Sequence, residues 1–121
     1  MINGASETIS AAVPGAPLSV VGTAGNTQVS LTWSAPASDG GSAITDYRVE
    51  FSSNSGAIWS TFADGTSTTA AATVTGLTNG TSYTFRVSAT NAAGTGATSI
   101  VSAAVVPRTV AGAPTIGTAT A

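Results

Sequence analysis

The stretch Asn79-Gly80-Thr81-Ser82-Tyr83-Thr84-Phe85-Arg86-Val87-Ser88-Ala89-Thr90-Asn91 decides the fold. After the turn pair Asn79-Gly80, apolar residues alternate one by one with polar residues, beginning at Tyr83. Alternation with a period of two is typical of a strand that has one buried face and one wet face. Because Tyr83 begins the buried row, its ring can enter a core while its hydroxyl bonds to a nearby backbone group. The stretch therefore predicts the central strand of a two-layer antiparallel β-sandwich.

Similar strand signals occur on both sides of this stretch. Val29, Leu31 and Trp33 alternate with polar residues, and Tyr47, Val49 and Phe51 do the same further along the chain. Turns rich in glycine, asparagine and aspartate separate the signals, and no helical period occurs. Seven short strands at roughly even spacing predict an all-β, seven-stranded antiparallel sandwich. In addition to the central strand, we expect strands over residues 18–21, 28–33, 44–52, 58–62, 72–74 and 100–106.

Composition argues against several kinds of partner. The chain has 121 residues, of which 7% are charged, and its net charge is -2 with a sequence pI near 4.4. The three basic residues are Arg48, Arg86 and Arg108. Because they form no basic stripe that would neutralise phosphates, we expect no nucleic-acid partner. No stretch approaches the roughly 18 apolar residues that span a bilayer, so we expect no membrane insertion.

The side chains that carry catalysis are nearly absent. The sequence has no histidine, cysteine or lysine, which removes the commonest bases, nucleophiles and thiolate metal ligands. Asp46 and Glu50 share a strand face, but four residues at ~3.3 Å each place them ~13 Å apart, beyond the ~5–9.5 Å of glycosidase carboxylate pairs. Asp39 and Asp64 each precede a glycine, which is typical of tight turns and lacks the spacing of a calcium loop. We expect no enzyme, no cofactor and no metal site.

Two groups of side chains are candidates for contact with a ligand or partner. Trp59 and Phe62 lie on or beside a short edge strand, where they either cover the sheet edge or form a platform on which sugar rings stack. The second group carries charges on one wet face, as an exposed ladder that is either solvated or part of a contact surface. Exposed pairs of this kind contribute about 0–1 kcal/mol each. The ladder consists of Asp46, Arg48, Glu50 and Arg86.

Part of the sequence repeats at a distance close to the length of one domain. Val13-Pro14-Gly15-Ala16-Pro17 recurs 97 residues later as Val110-Ala111-Gly112-Ala113-Pro114, and Gly22-Thr23-Ala24 recurs 95 residues later as Gly117-Thr118-Ala119. Self-similarity at this period predicts a tandem array, and a chance likeness of Ala/Gly/Thr-rich segments is the alternative. We expect a flexible N-terminal arm over residues 1–13, one domain over 14–107, and a linker with the start of a second repeat over 108–121.

These residues resemble a fibronectin type III domain, of the Ala/Thr/Gly-rich kind common in bacterial and phage proteins. The likeness covers residues 14–107 and depends on Pro17, on Trp33 with Pro36 behind it, and on the spacing Val74-x-x-Leu77-x-x-Gly80-x-x-Tyr83-x-Phe85-x-Val87. It implies an immunoglobulin-like sandwich without a disulfide, because Phe85 stands where an immunoglobulin domain has a cysteine. The large side chains of the implied core are Trp33, Tyr47, Phe51, Leu77, Tyr83 and Phe85.

The resemblance and the missing catalytic groups predict a non-catalytic structural spacer and adhesion module of an extended multi-domain protein, on a bacterial surface or in a phage virion. Its expected partners are neighbouring domains of the same kind, and beyond them other protein subunits or surface glycans. The alternative is a carbohydrate- or protein-binding module, as an accessory to an extracellular polysaccharide-degrading enzyme. The first residues lack the basic and apolar regions of a secretory signal. The expected location is extracellular, on a cell surface or in a virion.

Overall fold

The computed structural model describes residues 12–62 and 65–109. Its strands are β1 (Leu18–Gly25), β2 (Gln28–Ser34), β3 (Asp46–Ser52), β4 (Ser60–Phe62), β5 (Ala71–Val74), β6 (Thr84–Asn91) and β7 (Gly94–Thr95). They form two antiparallel sheets, one with the order β1-β2-β5 and one with the order β4-β3-β6-β7. The predicted all-β sandwich with seven strands is confirmed. Within the described ranges, no helix is long and apolar enough to cross a membrane.

The central strand predicted from the sequence is β6, which lies inside the four-stranded sheet. It pairs antiparallel with β3, so that Phe51 lies opposite Phe85 and Glu50 lies opposite Arg86. Residues that are paired in register share a face of the sheet, because side chains alternate along both strands. The pair Phe51 and Phe85 therefore points toward the other sheet, and the pair Glu50 and Arg86 points outward.

The core fills the space between the two sheets. Trp33 of β2 and Tyr47 of β3 meet edge to face, with ring centroids 5.3 Å apart, a geometry that the charge distribution of aromatic rings favours. Phe51 is only partly buried and packs at the margin of the core. Burial of a large apolar side chain contributes roughly 1.5–3 kcal/mol, so this core is the main source of stability in a chain without cysteine. The buried apolar side chains are Val29, Leu31, Trp33, Tyr47, Val49, Val74, Leu77, Tyr83, Phe85, Val87 and Ala89.

Tyr83 joins the core to the turn that precedes β6. Its ring is 6% exposed, and its hydroxyl oxygen accepts a hydrogen bond from the backbone N–H of Thr78 at 2.9 Å. This is the tyrosine corner of β-sandwiches, in which a buried ring holds the entry to a central strand. Gly80 completes the turn with a φ of 85°, a left-handed conformation that glycine adopts without strain. The prediction that the Tyr83 ring enters the core while its hydroxyl bonds to a nearby backbone group is confirmed.

The prediction of a strand over residues 100–106 is wrong. Beyond β7 the chain follows the edge of β6 without forming a regular strand, and Ile100 is 90% exposed. We call residues 97–107 the edge segment. Every third residue of the edge segment turns toward β6, whereas every second residue of β6 turns toward the edge segment. A step of three residues in the segment therefore corresponds to a step of two residues in the strand. The backbone N–H groups of Ser99, Ser102 and Val105 donate to the carbonyls of Val87, Phe85 and Tyr83 at 2.7–2.8 Å.

Serine hydroxyls explain this spacing. Ser99 Oγ accepts a hydrogen bond from the N–H of Val87 at 3.0 Å, and Ser102 Oγ accepts one from the N–H of Phe85 at 3.1 Å. Each hydroxyl therefore takes the place that a backbone carbonyl would have in an ordinary ladder. Both hydroxyls also donate to the next carbonyl of their own segment at 3.0 Å. The edge of β6 is closed by side chains as well as by backbone.

Strand β4 is shorter than the predicted range 58–62. Asn54 Oδ1 accepts a hydrogen bond from the N–H of Ile58 at 3.0 Å, and Ser52 Oγ accepts one from the N–H of Gly56 at 2.9 Å. These two side chains hold the connection in a turn that extends as far as Ile58, which is 68% exposed. Side-chain acceptors of this kind compete with a sheet ladder for backbone donors, and the strand begins only at Ser60.

The chain enters and leaves the sandwich at opposite ends. Of the expected arm over residues 1–13, only Ala12 and Val13 belong to the described residues, and the N–H of Ala12 donates to the carbonyl of Gly40 at 2.9 Å. At the other end of β1, the N–H of Arg108 donates to the carbonyl of Gly25 at 3.0 Å. Residues 110–121, which contain most of the expected linker and second repeat, lie outside the described residues.

Candidate functional site on the outer face of the four-stranded sheet

The structure separates the six residues predicted for ligand or partner contact. Alternation along β3 and β6 directs the four charged side chains to the outer face of the four-stranded sheet. Trp59, just before β4, also lies on this face, because its ring contacts Arg86. Phe62 of β4 packs against the core instead. The two aromatic rings therefore lie on opposite faces and form no common stacking platform. We call Arg48, Glu50, Trp59 and Arg86 the outer cluster.

Glu50 is the centre of the outer cluster. Its residue is 7% exposed, although it lies on the face of the sheet that turns away from the core. Arg86 Nε donates to Glu50 Oε1 at 3.0 Å across the β3–β6 pair, and an Arg48 terminal nitrogen donates to Oε2 at 3.4 Å. Both carboxylate oxygens are therefore bonded to a guanidinium group. A buried charge needs this kind of pairing, because leaving it alone in a low-dielectric environment is costly.

Trp59 covers the pair that Glu50 forms with Arg86. The guanidinium carbon of Arg86 lies 4.3 Å from the centroid of the Trp59 ring, which is the distance range of a cation–π contact. A methyl group added at Gly56 would lie 3.4 Å from the same ring, so the turn before β4 also packs against the indole. The indole ring thus covers one face of the Arg86 guanidinium and is itself half-buried.

The outer cluster differs in two respects from the exposed ladder expected from the sequence. The carboxylate of Glu50 is buried rather than solvated, and its two oxygens accept from Arg86 and Arg48. Asp46 does not join the ladder through Arg48; its Oδ1 accepts a hydrogen bond from the backbone N–H of Ser67 at 3.0 Å. Asp46 therefore ties the connection between β4 and β5 to the sheet. Arg48, whose side chain is 49% exposed, is the most open member of the cluster.

A shallow depression of about 460 Å³ adjoins the outer cluster. Asp46 and Arg48 form part of its floor, and the threonines of β4, β6 and β7 give it short hydroxyl side chains. Thr90 and Thr95 hydroxyls lie 2.9 Å apart and are hydrogen-bonded to each other. The depression is open and has a mixed polar and apolar lining, with Asp46 and Arg48 as its charged residues. Its lining residues are Asp46, Tyr47, Arg48, Thr61, Phe62, Gly65, Thr66, Thr90 and Thr95.

A metal site on or near this face would need several titratable side chains close together. Among the described residues, no group of three or more acidic, histidine or cysteine side chains could hold a metal ion. Burial raises the pKa of the Tyr47 phenol above its ordinary value of 10.0. Asp39 Oδ1 accepts a hydrogen bond from the N–H of Gly41 at 2.9 Å, as in an Asx turn. Asp64 lies outside the described residues.

Three polar residues that sequence reasoning missed hold the structure together. Asn91 is 4% exposed, and its amide nitrogen donates to the carbonyls of Ala12 and Asp39 at 2.8 and 2.7 Å. The sequence did carry a signal for the burial of Asn91, because this residue comes at the end of the inward-facing apolar row of β6. The signal for Ser99 and Ser102 was weaker. The two serines are three residues apart, but the small side chains around them also suit the two-residue period of a strand.

The family of the chain follows from the sandwich, the tyrosine corner and a comparison with known proteins. The family model for the fibronectin type III domain matches residues 13–105. The chain belongs to the fibronectin type III family.

Solved structures with the same fold come from large multi-domain proteins. A crystal structure of three consecutive titin domains is 37% identical over 81% of this chain, with a TM-score of 0.75. A single titin module from human cardiac muscle is 32% identical over 80% of this chain and 95% of its own, with a TM-score of 0.71. The FN1–FN3 domains of chicken CNTN1 are 29% identical over 78% of this chain, with a TM-score of 0.71. This chain spans 33% of the three-domain titin structure and 33% of the CNTN1 structure.

Proposed function

We propose that this chain is a non-catalytic spacer and adhesion module, one of several similar modules in an extended protein of a bacterial surface or a phage particle. The observation that carries the proposal is that the chain enters and leaves at opposite ends of the sandwich, near Ala12 and Arg108. A module with this geometry adds its full length to an array, because the next module continues from the far end. The partial second copy in residues 110–119 supports the same role.

The faces of the sandwich support a passive role. On the outer face, the carboxylate of Glu50 is neutralised and covered, and the remaining side chains are mostly short hydroxyl groups. The similarity to titin and CNTN1 domains is a similarity to modules of longer chains. The setting on a bacterial surface or virion comes from the Ala/Thr/Gly-rich composition of the sequence. In that setting the partners are neighbouring modules, other protein subunits and surface glycans.

Small-angle X-ray scattering on the natural full-length protein tests the spacer role. We expect a maximum dimension that grows with the number of modules and a scattering curve of a string of similar beads. A compact particle, in which modules fold back on each other, would contradict the proposal.

The adhesion part of the proposal has its own test, a glycan array probed with the full chain. Trp59→Ala removes the aromatic ring on the outer face, and Ile58→Ala, one residue away and 68% exposed, is the matched control. Binding that Trp59→Ala abolishes and Ile58→Ala keeps would assign glycan recognition to this face. A silent array would remove glycans from the list of partners and leave the spacer role as the whole function.

A further inference from the structure

The entry to the sandwich is held by hydrogen bonds that begin at Ala12. Its N–H donates to the carbonyl of Gly40 at 2.9 Å, and its carbonyl accepts from the side chain of Asn91 at 2.8 Å. Asn91 donates at the same time to the carbonyl of Asp39, and its own oxygen accepts from the N–H of Ala93 at 2.8 Å. One buried amide thus joins the entering chain to the two loops at this end of the sandwich.

Two glycines give the entering chain its close fit. A methyl group at Gly40, whose φ is 77°, would collide with the backbone of Ala12. A methyl group at Gly96 would collide with the backbone of Pro14 in the same way. Such close approach of two backbones is available only to glycine. The position of Ala12 is therefore determined by packing as well as by hydrogen bonds, and we call this arrangement the entry clamp.

The exit from the sandwich is held just as closely. The N–H of Arg108 donates to the carbonyl of Gly25 at 3.0 Å, and the N–H of Gly80 donates to the carbonyl of Pro107 at 2.9 Å. Pro107 is fully buried. Asn79 braces the two turns at this end, because its oxygen accepts from the N–H of Thr27 at 2.8 Å. We call this arrangement the exit clamp, and its last anchored backbone atom is the N–H of Arg108.

The register of the sequence repeat shows how the two clamps relate to each other. Val13 recurs as Val110, 97 residues later, so the residue before it, Ala12, corresponds to Thr109. Arg108 is the last residue whose backbone the exit clamp holds, and the Asn79 amide also donates to the Thr109 hydroxyl at 3.5 Å. Thr109 is the residue whose backbone the entry clamp of a following module would hold. No residue remains between the two clamps to serve as a linker.

We propose that consecutive modules of this kind join without a linker, so that the exit end of one module docks directly on the entry end of the next. The inference depends on the tandem arrangement in the proposed function and adds the partner surface and its rigidity. Adjacent α-carbons are ~3.8 Å apart, so two clamps that grip consecutive residues bring the two module ends into contact. The occupant of each end is a second copy of the same fold.

The two end surfaces suit such contact. At the exit end, the exposed residues include those of the turns around Asn26 and Asn79 together with Arg108 and Thr109; at the entry end, they include those of the loops around Asp39 and Ala92. The side chains of these turns and loops are short, and the exit end also carries the exposed side chain of Arg108 beside them. The docking surfaces consist of residues 26–27 and 78–80 on one module and residues 38–41 and 92–93 on the next.

A two-module protein tests the junction directly. It consists of residues 1–109 followed immediately by residues 13–121, which keeps the repeat register, and the control carries Gly-Ser-Gly-Ser between the two copies. Because the chain has no cysteine, Thr73→Cys, on an exposed strand position of each module, supplies two spin labels. Double electron–electron resonance then measures the distribution of distances between the labels.

The direct fusion is expected to give one narrow distance peak. In the control, a flexible linker of four residues adds roughly 10–12 Å of root-mean-square reach, so the peak broadens and extends to longer distances. A distribution for the direct fusion that is as broad as that of the control would overturn the inference. The tryptophan emission and urea unfolding of both proteins verify that each module is folded.

Asn91→Ala provides a matched pair of variants within the same protein. In the second module it opens the clamp on the junction, and in the first module the same substitution opens a clamp that holds only the N-terminal end of the chain. We expect the distance peak to broaden in the former variant and not in the latter. Equal peaks in the two variants would show that the entry clamp does not hold the junction. A flexible junction would refute this inference alone, whereas a compact full-length protein in scattering would refute the proposed function.

Discussion

The sharpest consequence of the fold is the effect of Ser102→Ala on stability. The N–H and carbonyl of Phe85 both point toward the edge segment, and Ser102 bonds to both, with its hydroxyl as the acceptor of the N–H. Phe85 is 0% exposed, so water cannot replace the lost oxygen in the folded protein. The substitution therefore removes one acceptor and leaves a buried donor without a partner.

The expected loss in unfolding free energy is about 1–3 kcal/mol, the penalty for a buried polar group that loses its hydrogen bond. The carbonyl of Ala103 also loses a donor, but Ala103 is exposed and water can take that place. Ser99→Ala removes the acceptor of the Val87 N–H and carries the same expectation. If the two sites act independently, the double variant loses about 2–6 kcal/mol.

Urea unfolding followed by tryptophan emission measures these losses, and an unchanged m-value would show that both states keep their compactness. Ser53→Ala, an exposed serine on the same domain, is the control and should stay within about 0.5 kcal/mol of the parent. Amide hydrogen exchange should show lower protection at Phe85 in Ser102→Ala. If Ser102→Ala unfolds like Ser53→Ala and the Phe85 amide stays protected, the hydroxyl is not the acceptor and the account of the edge segment is wrong.

Five further substitutions test the core and the outer cluster by the same urea assay. Trp33→Ala should cost about 3–5 kcal/mol, as for other buried aromatic residues, and a loss under about 1 kcal/mol would remove Trp33 from the core. Tyr83→Phe keeps the ring but frees the Thr78 amide, with an expected loss of about 0.5–1.5 kcal/mol. Glu50→Ala should lower the unfolding free energy by about 1.5–3 kcal/mol because Arg86 loses a buried partner. Arg48→Ala, at an exposed pair, should lower it by about 0–1 kcal/mol. Equal losses for the two variants would contradict the burial of the Glu50 carboxylate. Because burial raises the pKa of Tyr47, the unfolded phenol loses its proton first, so stability should fall as the pH rises above about 10; Tyr47→Phe should flatten this fall.

The strands with one buried face were predictable from the sequence because their pattern is local. In β2, β3 and β6, each side chain is either inward or outward, and the choice alternates residue by residue. Tyr83 was predictable in more detail, since a phenol at the start of a buried row has few places for its hydroxyl. The family resemblance to fibronectin type III domains depended on the same residues and is confirmed by the family model over residues 13–105.

The edge segment was not predictable by this reasoning, because its period is set by another strand. Small residues fill it, and they suit a two-residue period as well as a three-residue one. The choice between the two depends on whether the hydroxyls of Ser99 and Ser102 reach the N–H groups of β6. That contact spans 12 residues for one serine and 17 for the other, so no local window contains it.

The outer cluster was predictable in part. Alternation along β3 and β6 placed Glu50 and Arg86 correctly on the outer face, and antiparallel pairing made their contact plausible. The burial of Glu50 was not predictable from alternation, and neither was the turn that brings Trp59 over Arg86. That turn is held by Ser52 and Asn54 through hydrogen bonds to the backbone, which a hydrophobic pattern does not register.

The sheet edges explain why contact between modules should run end to end rather than side by side. A long open edge strand invites pairing with another chain, and proteins prevent this with short strands, bulges and coverage. Here β1 carries a register irregularity between Leu18 and Val21, with a φ of 56° at Ser19. The edge strand β5 has four residues and β4 has only three. The edge segment covers β6 beyond β7, with serine hydroxyls on two of its amides. Since each of these edges is short, irregular or covered, a strand from another chain finds little regular ladder to extend, which favours the end-to-end contact between modules proposed above.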